Sequence, residues 1–138
     1  MLAVTLALAA VLSGCSAQAE EQAATPQSAD QAAALDALVE NARPTLEALL
    51  ASSPMYSDIQ INAVPPSTME YVYVYKDVMV ADTAKSYLDS MVPTFQAAVD
   101  SQVIPAMISG GVDSSPRVTY TYQDPDGSIL WSHTFDPS

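Results

Sequence analysis

The sequence predicts an α+β domain of order α-ββ-α-ββ, in which two hairpins form one four-stranded antiparallel sheet with helices on one face. Two observations lead to this fold class. Two long segments repeat apolar residues at spacings of three and four, which is typical of amphipathic helices. Two pairs of other segments alternate apolar and polar residues around Pro- or Gly-containing turns, which is typical of hairpins.

The first predicted helix begins at about Asp30 and ends at the Ser-Ser-Pro sequence of residues 52–54. Pro44 lies inside this segment and lacks an N–H, so we expect a kink or two short helices there. One apolar stripe gives the helix a buried side. The stripe consists of Leu35, Leu38, Ala42, Leu46, Leu49 and Leu50.

The first hairpin follows directly, with strands YSDIQINAV and MEYVYVYKD around the sequence PPST. A second helix is predicted from about Thr83 to Ser109, with Asp82 as N-cap, Gly110-Gly111 as its end and bends at Pro93 and Pro105. Its stripe consists of Leu88, Met91, Phe95, Val99, Val103 and Met107. The second hairpin closes the chain with RVTYTYQ, the turn DPDG and SILWSHTF.

The two halves of the chain share short sequences. PTLEA at Pro44 returns as PTFQA at Pro93, and YVYKD at Tyr73 returns as YTYQD at Tyr120. An ancient internal duplication would explain both matches. Chance similarity in an Ala-rich chain would explain them equally well, and the sequence leaves both interpretations open.

The N-terminal stretch predicts a location. Leu2 to Leu12 form a mostly apolar run that is too short to span a bilayer but suits a signal peptide. Leu-Ser-Gly-Cys, ending at Cys15, resembles the lipobox of bacterial lipoproteins, which implies a lipid on the Cys15 thiol. A buried N-terminal helix with a core cysteine is the alternative. A signal peptide should begin with Lys or Arg, whereas only Met1 precedes the run, so we expect a start codon assigned too late or a clipped chain.

This interpretation divides the chain into three parts. Residues 1–14 form the lipoprotein signal peptide, residues 15–30 form a disordered tether without large apolar side chains, and residues 31–138 form a single α+β domain. The expected location is the extracytoplasmic face of the bacterial cell membrane, with Cys15 as the lipid anchor. Two or three acyl chains would hold the protein there firmly, whereas one chain would not.

Charge excludes one class of partner. The chain of 138 residues carries 16 acidic residues against only four Lys and Arg, for a formal net charge of −12. Such a charge repels phosphate backbones, so we expect no nucleic acid as partner. A single cysteine excludes an internal disulfide and any Cys-based metal motif.

The tyrosine strands and the last hairpin resemble an uncharacterised domain family of small Gram-positive lipoproteins. The resemblance covers Ala63 to Asp136, and its most specific part is the hairpin pattern Y-x-x-x-D-G with a closing Phe. It implies the fold and the location but no chemistry. The matching residues are Tyr71, Tyr73, Tyr75, Tyr122, Asp126, Gly127 and Phe135.

Catalytic and metal-binding patterns are weak. His133 is the only histidine and lies near Trp131 on a predicted strand, so we expect a structural or exposed role rather than that of a general base. Asp124 and Asp126 lie in one turn, and DPDGS lacks the further ligand and the later Glu of a calcium loop. The sequence therefore predicts no catalytic residue, no metal site and no cofactor, and a protein that is not an enzyme.

The register of the last hairpin is ambiguous. By alternation alone, Val118, Tyr120 and Tyr122 share a face with Ile129, Trp131 and Phe135. The DPDG turn instead favours a bulge at Gly127, which turns Trp131 and Phe135 away from the tyrosines. We predict the bulged register, with the tyrosine side packed on the helices. The open face then presents a partner surface of Val72, Val74, Thr119, Thr121, Ile129, Trp131 and Phe135.

Two functions from different classes fit these patterns. The first is a non-enzymatic binding or interaction module on the membrane surface, with a protein, a peptide or another envelope component as ligand. A second copy of the chain is a further possible partner. The second function is an inhibitor or immunity-type protein that blocks an extracellular enzyme, since an acidic scaffold suits a basic target. The Tyr-rich strands fit either a sugar or peptide platform or a packed core.

Overall fold

The computed structural model describes residues 26–138, so the predicted signal peptide, Cys15 and most of the predicted tether lie outside the described residues. The predicted order α-ββ-α-ββ is confirmed. A π-helical segment, Val99–Val103, links the second and third helices into one continuous helical rod. The elements are α1 (Pro26–Ser52), β1 (Tyr56–Val64), β2 (Thr68–Tyr75), α2 (Ala81–Ala98), α3 (Ile104–Ser109), β3 (Arg117–Gln123) and β4 (Ile129–Phe135).

Helix α1 starts at Pro26, inside the segment predicted as tether, because proline suits the first position of a helix. It also runs through Pro44 as one helix, so the division into two helices is wrong. The exposed Pro44 lies on the solvent side, while Leu35 and Val39 are buried on the other side. Leu49, predicted in the apolar stripe, is 41% exposed.

The second helical rod contains its irregularity between the two prolines. The N–H of Ile104 donates to the carbonyl of Val99, an i→i−5 bond that widens the helix just before Pro105. Because Pro105 has no N–H, the chain must accommodate a missing helical bond there. The rod is capped at Val80 without a side-chain hydrogen bond, so the prediction of Asp82 as N-cap is wrong and Asp82 lies in the first turn.

The sheet has the order β1-β2-β3-β4 and is mixed rather than antiparallel. Both hairpins are antiparallel, as predicted, but β2 and β3 run parallel. The cause is the helical rod between them, which returns the chain to the end of the sheet where β2 began. A parallel neighbour requires such a crossover of a dozen or more residues. The prediction of a wholly antiparallel sheet is therefore wrong at this one joint.

The helices cover one face of the sheet, as predicted. Alternation along the paired strands places Ile61, Tyr71 and Tyr120 side by side on the covered face. Helix α1 packs mainly on β1, and α2 contacts β4. Phe95 of α2 has its ring centroid 5.4 Å from that of Tyr120, and both belong to one hydrophobic core.

Buried Gln31 fastens the start of α1 to two loops. Its Nε2 donates to the carbonyl of Ser114 at 3.0 Å and to that of Pro66 at 3.3 Å, and its Oε1 accepts the N–H of Ser114 at 2.9 Å. The side chain is 4% exposed. Gln31 therefore satisfies three backbone groups between the β1–β2 turn and the segment that leads into β3.

The two tyrosine segments that resemble each other in sequence are neighbours in the sheet. Tyr71 pairs with Tyr120 and Tyr73 pairs with Tyr122 across the parallel joint. One segment lies in the second strand of its half and the other in the first strand, so they do not occupy equivalent places in an α-β-β unit. The internal duplication stays a prediction.

Candidate functional site

The DPDG turn has the predicted form. Gly127 has φ of +86°. The N–H of Asp124 donates to the carbonyl of Ser128 and the N–H of Gly127 to the carbonyl of Asp124, both at 2.9 Å. This pattern fits a tight turn with a bulge at the glycine. The Asp126 carboxylate accepts bonds from the Ser128 hydroxyl and N–H, and these bonds lower its pKa.

A second bulge follows in β4 and reverses the effect of the first. Gln123 pairs with Ile129, whereas Tyr122 pairs with Trp131, so Leu130 has no partner across the strands. Each extra residue moves all later side chains to the other face. Two bulges together return Trp131 and Phe135 to the face of the tyrosines, as simple alternation predicts, whereas Ile129 stays on the other face.

The second bulge places Trp131 and Phe135 in the core. Trp131 is 6% exposed and Phe135 is 1% exposed, with Phe95 of α2 about 6 Å from both rings by centroid (6.1 and 6.3 Å). The prediction that these two side chains lie on the open face beside Thr119 and Thr121 is therefore wrong. The prediction that the tyrosine side packs on the helices is confirmed.

Trp131 also has a polar contact at the margin of the core. Its indole Nε1 donates to Oδ1 of Asp89 on α2 at 2.8 Å. Lys85 donates to the other carboxylate oxygen at 2.5 Å. These bonds hold the pKa of Asp89 below its ordinary value, and the bond from Lys85 contributes more than the bond from Trp131. His133 is exposed and stacks on Trp131, with 5.6 Å between ring centroids.

The open face keeps the other five residues of the predicted partner surface. Val72 and Thr121 are neighbours in the middle of the sheet and are 7% and 4% exposed. Thr121 shares a hydrogen bond of 3.0 Å with Ser132. Thr119 and Val74 are half-buried, and Ile129 is 65% exposed. This face is therefore mostly polar rather than apolar.

All seven tyrosines lie on the helix side of the molecule or at its margin. Tyr73 and Tyr122 stack with ring centroids 4.8 Å apart. Burial raises the pKa of Tyr71 to about 12, and burial together with the nearby Tyr56 raises that of Tyr75 to about 12. Such shifts keep the phenols neutral. The six strand tyrosines serve as core, whereas Tyr87 on α2 is 59% exposed, so the structure favours packing over a sugar platform on these strands.

A groove runs along the outer edge of β1. It has a volume of about 210 Å³ and lies between α1 and the first half of β1. Its rim includes charged groups, of which Arg43 pairs with Glu40 at 2.9 Å and Asp58 accepts a bond from Gln60 at 2.6 Å. The groove is lined by Arg43, Leu46, Glu47, Leu50, Asp58, Ile59, Gln60 and Ile61.

Within residues 26–138, no cluster of three His, Cys, Asp or Glu side chains could hold a metal ion. Over the same residues, no helix is both long enough and apolar enough to cross a membrane. His133 faces rings rather than a nucleophile. The groove was not predicted from the sequence, because it forms only where α1 packs beside the edge strand β1 in the tertiary fold.

Comparison with protein-family models, with characterised proteins and with solved structures finds no match to this chain. The function is therefore inferred from the open face of the sheet, the edge of β1 and the groove beside it.

Proposed function

We propose that the chain is a lipid-anchored protein of the extracytoplasmic face of a bacterial cell membrane, where it binds a ligand and catalyses no reaction. The apolar run ending in Leu-Ser-Gly-Cys supports the anchor at Cys15. The resemblance to small Gram-positive lipoproteins supports the same location. The ligand is a protein, a peptide or another envelope component.

The observation that carries the binding role is the uncovered sheet. Both helical rods pack on the tyrosine side, β1 has a paired strand on one side only, and Ile129 and Thr134 on the opposite face are exposed. Hydrogen bonds such as Thr119 to Thr134 at 2.8 Å order that face. An ordered, open surface beside an unpaired strand edge is a place where another molecule can bind.

Capture from envelope extracts tests this proposal. The immobilised full chain carries Cys15→Ser so that lipid plays no part. We expect one partner that excess free chain displaces, that is lost with Thr119→Arg/Thr134→Arg on the open face, and whose capture is weakened by Glu47→Lys at the groove. The control Ser86→Arg/Thr94→Arg alters exposed sites of α2 and should keep the partner. Capture that all variants share equally would contradict a specific binding surface.

The charge distribution favours an inhibitor of a basic extracellular enzyme as a second candidate. Three of the four basic side chains form ion pairs with carboxylates, namely Arg43, Lys85 and Arg117. The remaining acidic groups give the surface a negative field that would attract a basic target. A gene for such an enzyme beside the gene for this chain, with loss of its activity on mixing, would favour the inhibitor.

A further inference from the structure

The outer edge of β1 lacks the usual protection of an edge strand. Edge strands commonly carry lysine, proline or a bulge that prevents pairing with another chain. In β1 the single bulge lies at its start, between Tyr56 and Asp58, and the register from Asp58 to Val64 is regular. This stretch contains no Lys, Arg or Pro. No other segment of residues 26–138 hydrogen-bonds its outward N–H and C=O groups, which leaves them for an added strand.

The opposite edge of the sheet differs. In β4 the bulge at Leu130 interrupts the ladder, and an added strand could not follow both sides of it in one register. At its end, Asp136 is engaged by Arg117 at 2.6 Å. The β1 edge is thus the better template, and β4 provides an internal control.

The groove fits a side chain of such a strand. An added strand would lie about 4.8 Å from β1, and alternate side chains would point to the helix side. There the groove offers apolar walls from Leu46, Leu50 and Ile59, with Ile59 only 7% exposed. Its volume of about 210 Å³ is well above the roughly 10–15 Å³ that one water molecule needs. That space accommodates an apolar side chain.

Charge indicates the kind of polypeptide. Glu40, Glu47 and Asp58 stand at or beside the rim against the single cation Arg43. Glu47 has no ion-pair partner among residues 26–138. The whole chain has a net charge of −12, so a second copy would be repelled and a cationic segment attracted.

We infer that the edge of β1 binds an extended, cationic segment of a partner polypeptide by strand addition, with one apolar side chain in the groove beneath α1. This inference rests on the proposed binding function and names the chemistry of its partner. Main-chain hydrogen bonds supply affinity in this mode, and the groove and the acidic rim supply selectivity.

Three synthetic peptides test the inference with the full chain carrying Cys15→Ser. The first is an eight-residue peptide in which Lys alternates with Val or Leu. The second has Glu in place of Lys, and the third is the Lys peptide with N-methyl groups on alternate amides. We expect fluorescence anisotropy to show that the second and third bind at least tenfold more weakly, because charge attraction or strand hydrogen bonds are lost.

Amide hydrogen exchange locates the binding site. We expect the Lys peptide to protect alternate amides of β1 between Asp58 and Val64 and to leave β4 unchanged.

Glu47→Lys should weaken binding about threefold to tenfold, since it turns one attraction into a repulsion. Asp113→Lys is the matched control, because it makes the same change in net charge. Asp113 lies far from the groove. It precedes Ser114, which bonds to Gln31, and Gln31 is about 24 Å from Glu47 along α1. The affinity of Asp113→Lys for the Lys peptide should stay within twofold of that of the wild type.

Four results would overturn the inference. These are equal binding of the Glu peptide, equal binding of the N-methylated peptide, protection in β4 instead of β1, and β1 protection that rises with chain concentration without peptide. The last would assign the edge to a second copy. If the peptides fail while envelope capture still depends on Thr119 and Thr134, this inference falls and the proposed function stands. If capture fails as well, both fall.

Discussion

Gln31 shows how one buried amide can hold three loop groups in place. Replacing it with Ala leaves the N–H of Ser114 and two carbonyls without their partner. Unsatisfied buried groups cost about 1 to 3 kcal/mol each, so we expect Gln31→Ala to lower the free energy of unfolding by at least about 1 kcal/mol. Urea titration measures this, with exposed Gln102→Ala as control. An unchanged midpoint would mean that water replaces the amide without loss.

Asp89 provides a pH-dependent contact to the only tryptophan. Its pKa is lower in the folded chain than the ordinary 3.8, so its stabilising contribution is fully present above that value. The contribution is lost as the pH falls through the lower folded-state pKa. We expect Asp89→Ala to lower the urea midpoint at neutral pH and to differ little from wild type in strong acid.

Trp131 fluorescence reports both transitions, and Asp82→Ala on the same helix is the control for loss of an exposed carboxylate. Lys85 contributes most to the lowered pKa of Asp89, and the nearby His133 contributes least. If Asp89→Ala differs from wild type as much in strong acid as at neutral pH, the ionised carboxylate is not the stabilising group.

The tyrosines predict how the protein responds to alkali. Burial raises the pKa of Tyr71 and Tyr75 from 10.0 to about 12, so their contribution is fully present below pH 10 and is lost as the pH rises towards 12. We expect tyrosinate absorbance to appear cooperatively with loss of circular dichroism in this range. Independent ionisation of most tyrosines near pH 10 in a folded chain would contradict the packed cluster.

At the scale of the elements, the second bulge of the β3–β4 hairpin decides which side chains reach the core. Deleting Leu130 removes the unpaired residue and leaves Trp131 opposite Tyr122 in a regular ladder. Deleting Ser132 instead moves Phe135 from Val118 to Thr119 and turns it outward. We expect the first deletion to fold and the second to lose about 3 to 5 kcal/mol, the cost of losing a buried aromatic side chain.

Thermal melts and Trp131 emission compare the two deletions. A fold that survives loss of Ser132 but not of Leu130 would show that the observed register is wrong.

This hairpin also shows which features the sequence can predict. The turn at Gly127 follows from local chemistry, because Pro125 and Gly127 restrict the backbone whatever surrounds them. The bulge at Leu130 has no such local mark. It forms because Trp131 and Phe135 gain more by burial against Phe95 than the ladder loses at one residue. Hydrophobic alternation therefore predicted the faces better than the turn did.

At the scale of the whole molecule, alternation and turns predicted each strand, but strand order depends on the path between hairpins. The tyrosine patterns of β2 and β3 are consistent with neighbouring strands but do not say whether the two strands run parallel or antiparallel. The direction follows from the rod of residues 81–109, whose single pass along the sheet makes the joint parallel. The groove beside β1 could not be predicted either, because Leu46 and Ile59 meet only after α1 has packed on its strand.

The anchor gives a prediction for the complete chain. We expect expression in the native host to yield a chain that begins at Cys15 and carries acyl groups, because Leu-Ser-Gly-Cys follows a signal-like run. Mass spectrometry of the membrane fraction measures this, and Cys15→Ser should release the chain from the membrane. An intact N-terminus with an unmodified thiol in the native host would contradict the lipid anchor.

The parallel joint has a consequence for how the chain folds. Each hairpin closes through a short turn, but pairing of β2 with β3 must close a connection of 41 residues, 76–116. That closure costs about 3 kcal/mol of chain entropy more than contact between adjacent residues, so we expect the hairpins to form first and join last. Until then the inner edges of both hairpins are unpaired, and one chain's β3–β4 hairpin can join another chain's β2. Refolding at high concentration should therefore yield hairpin-exchanged dimers that dilute refolding does not.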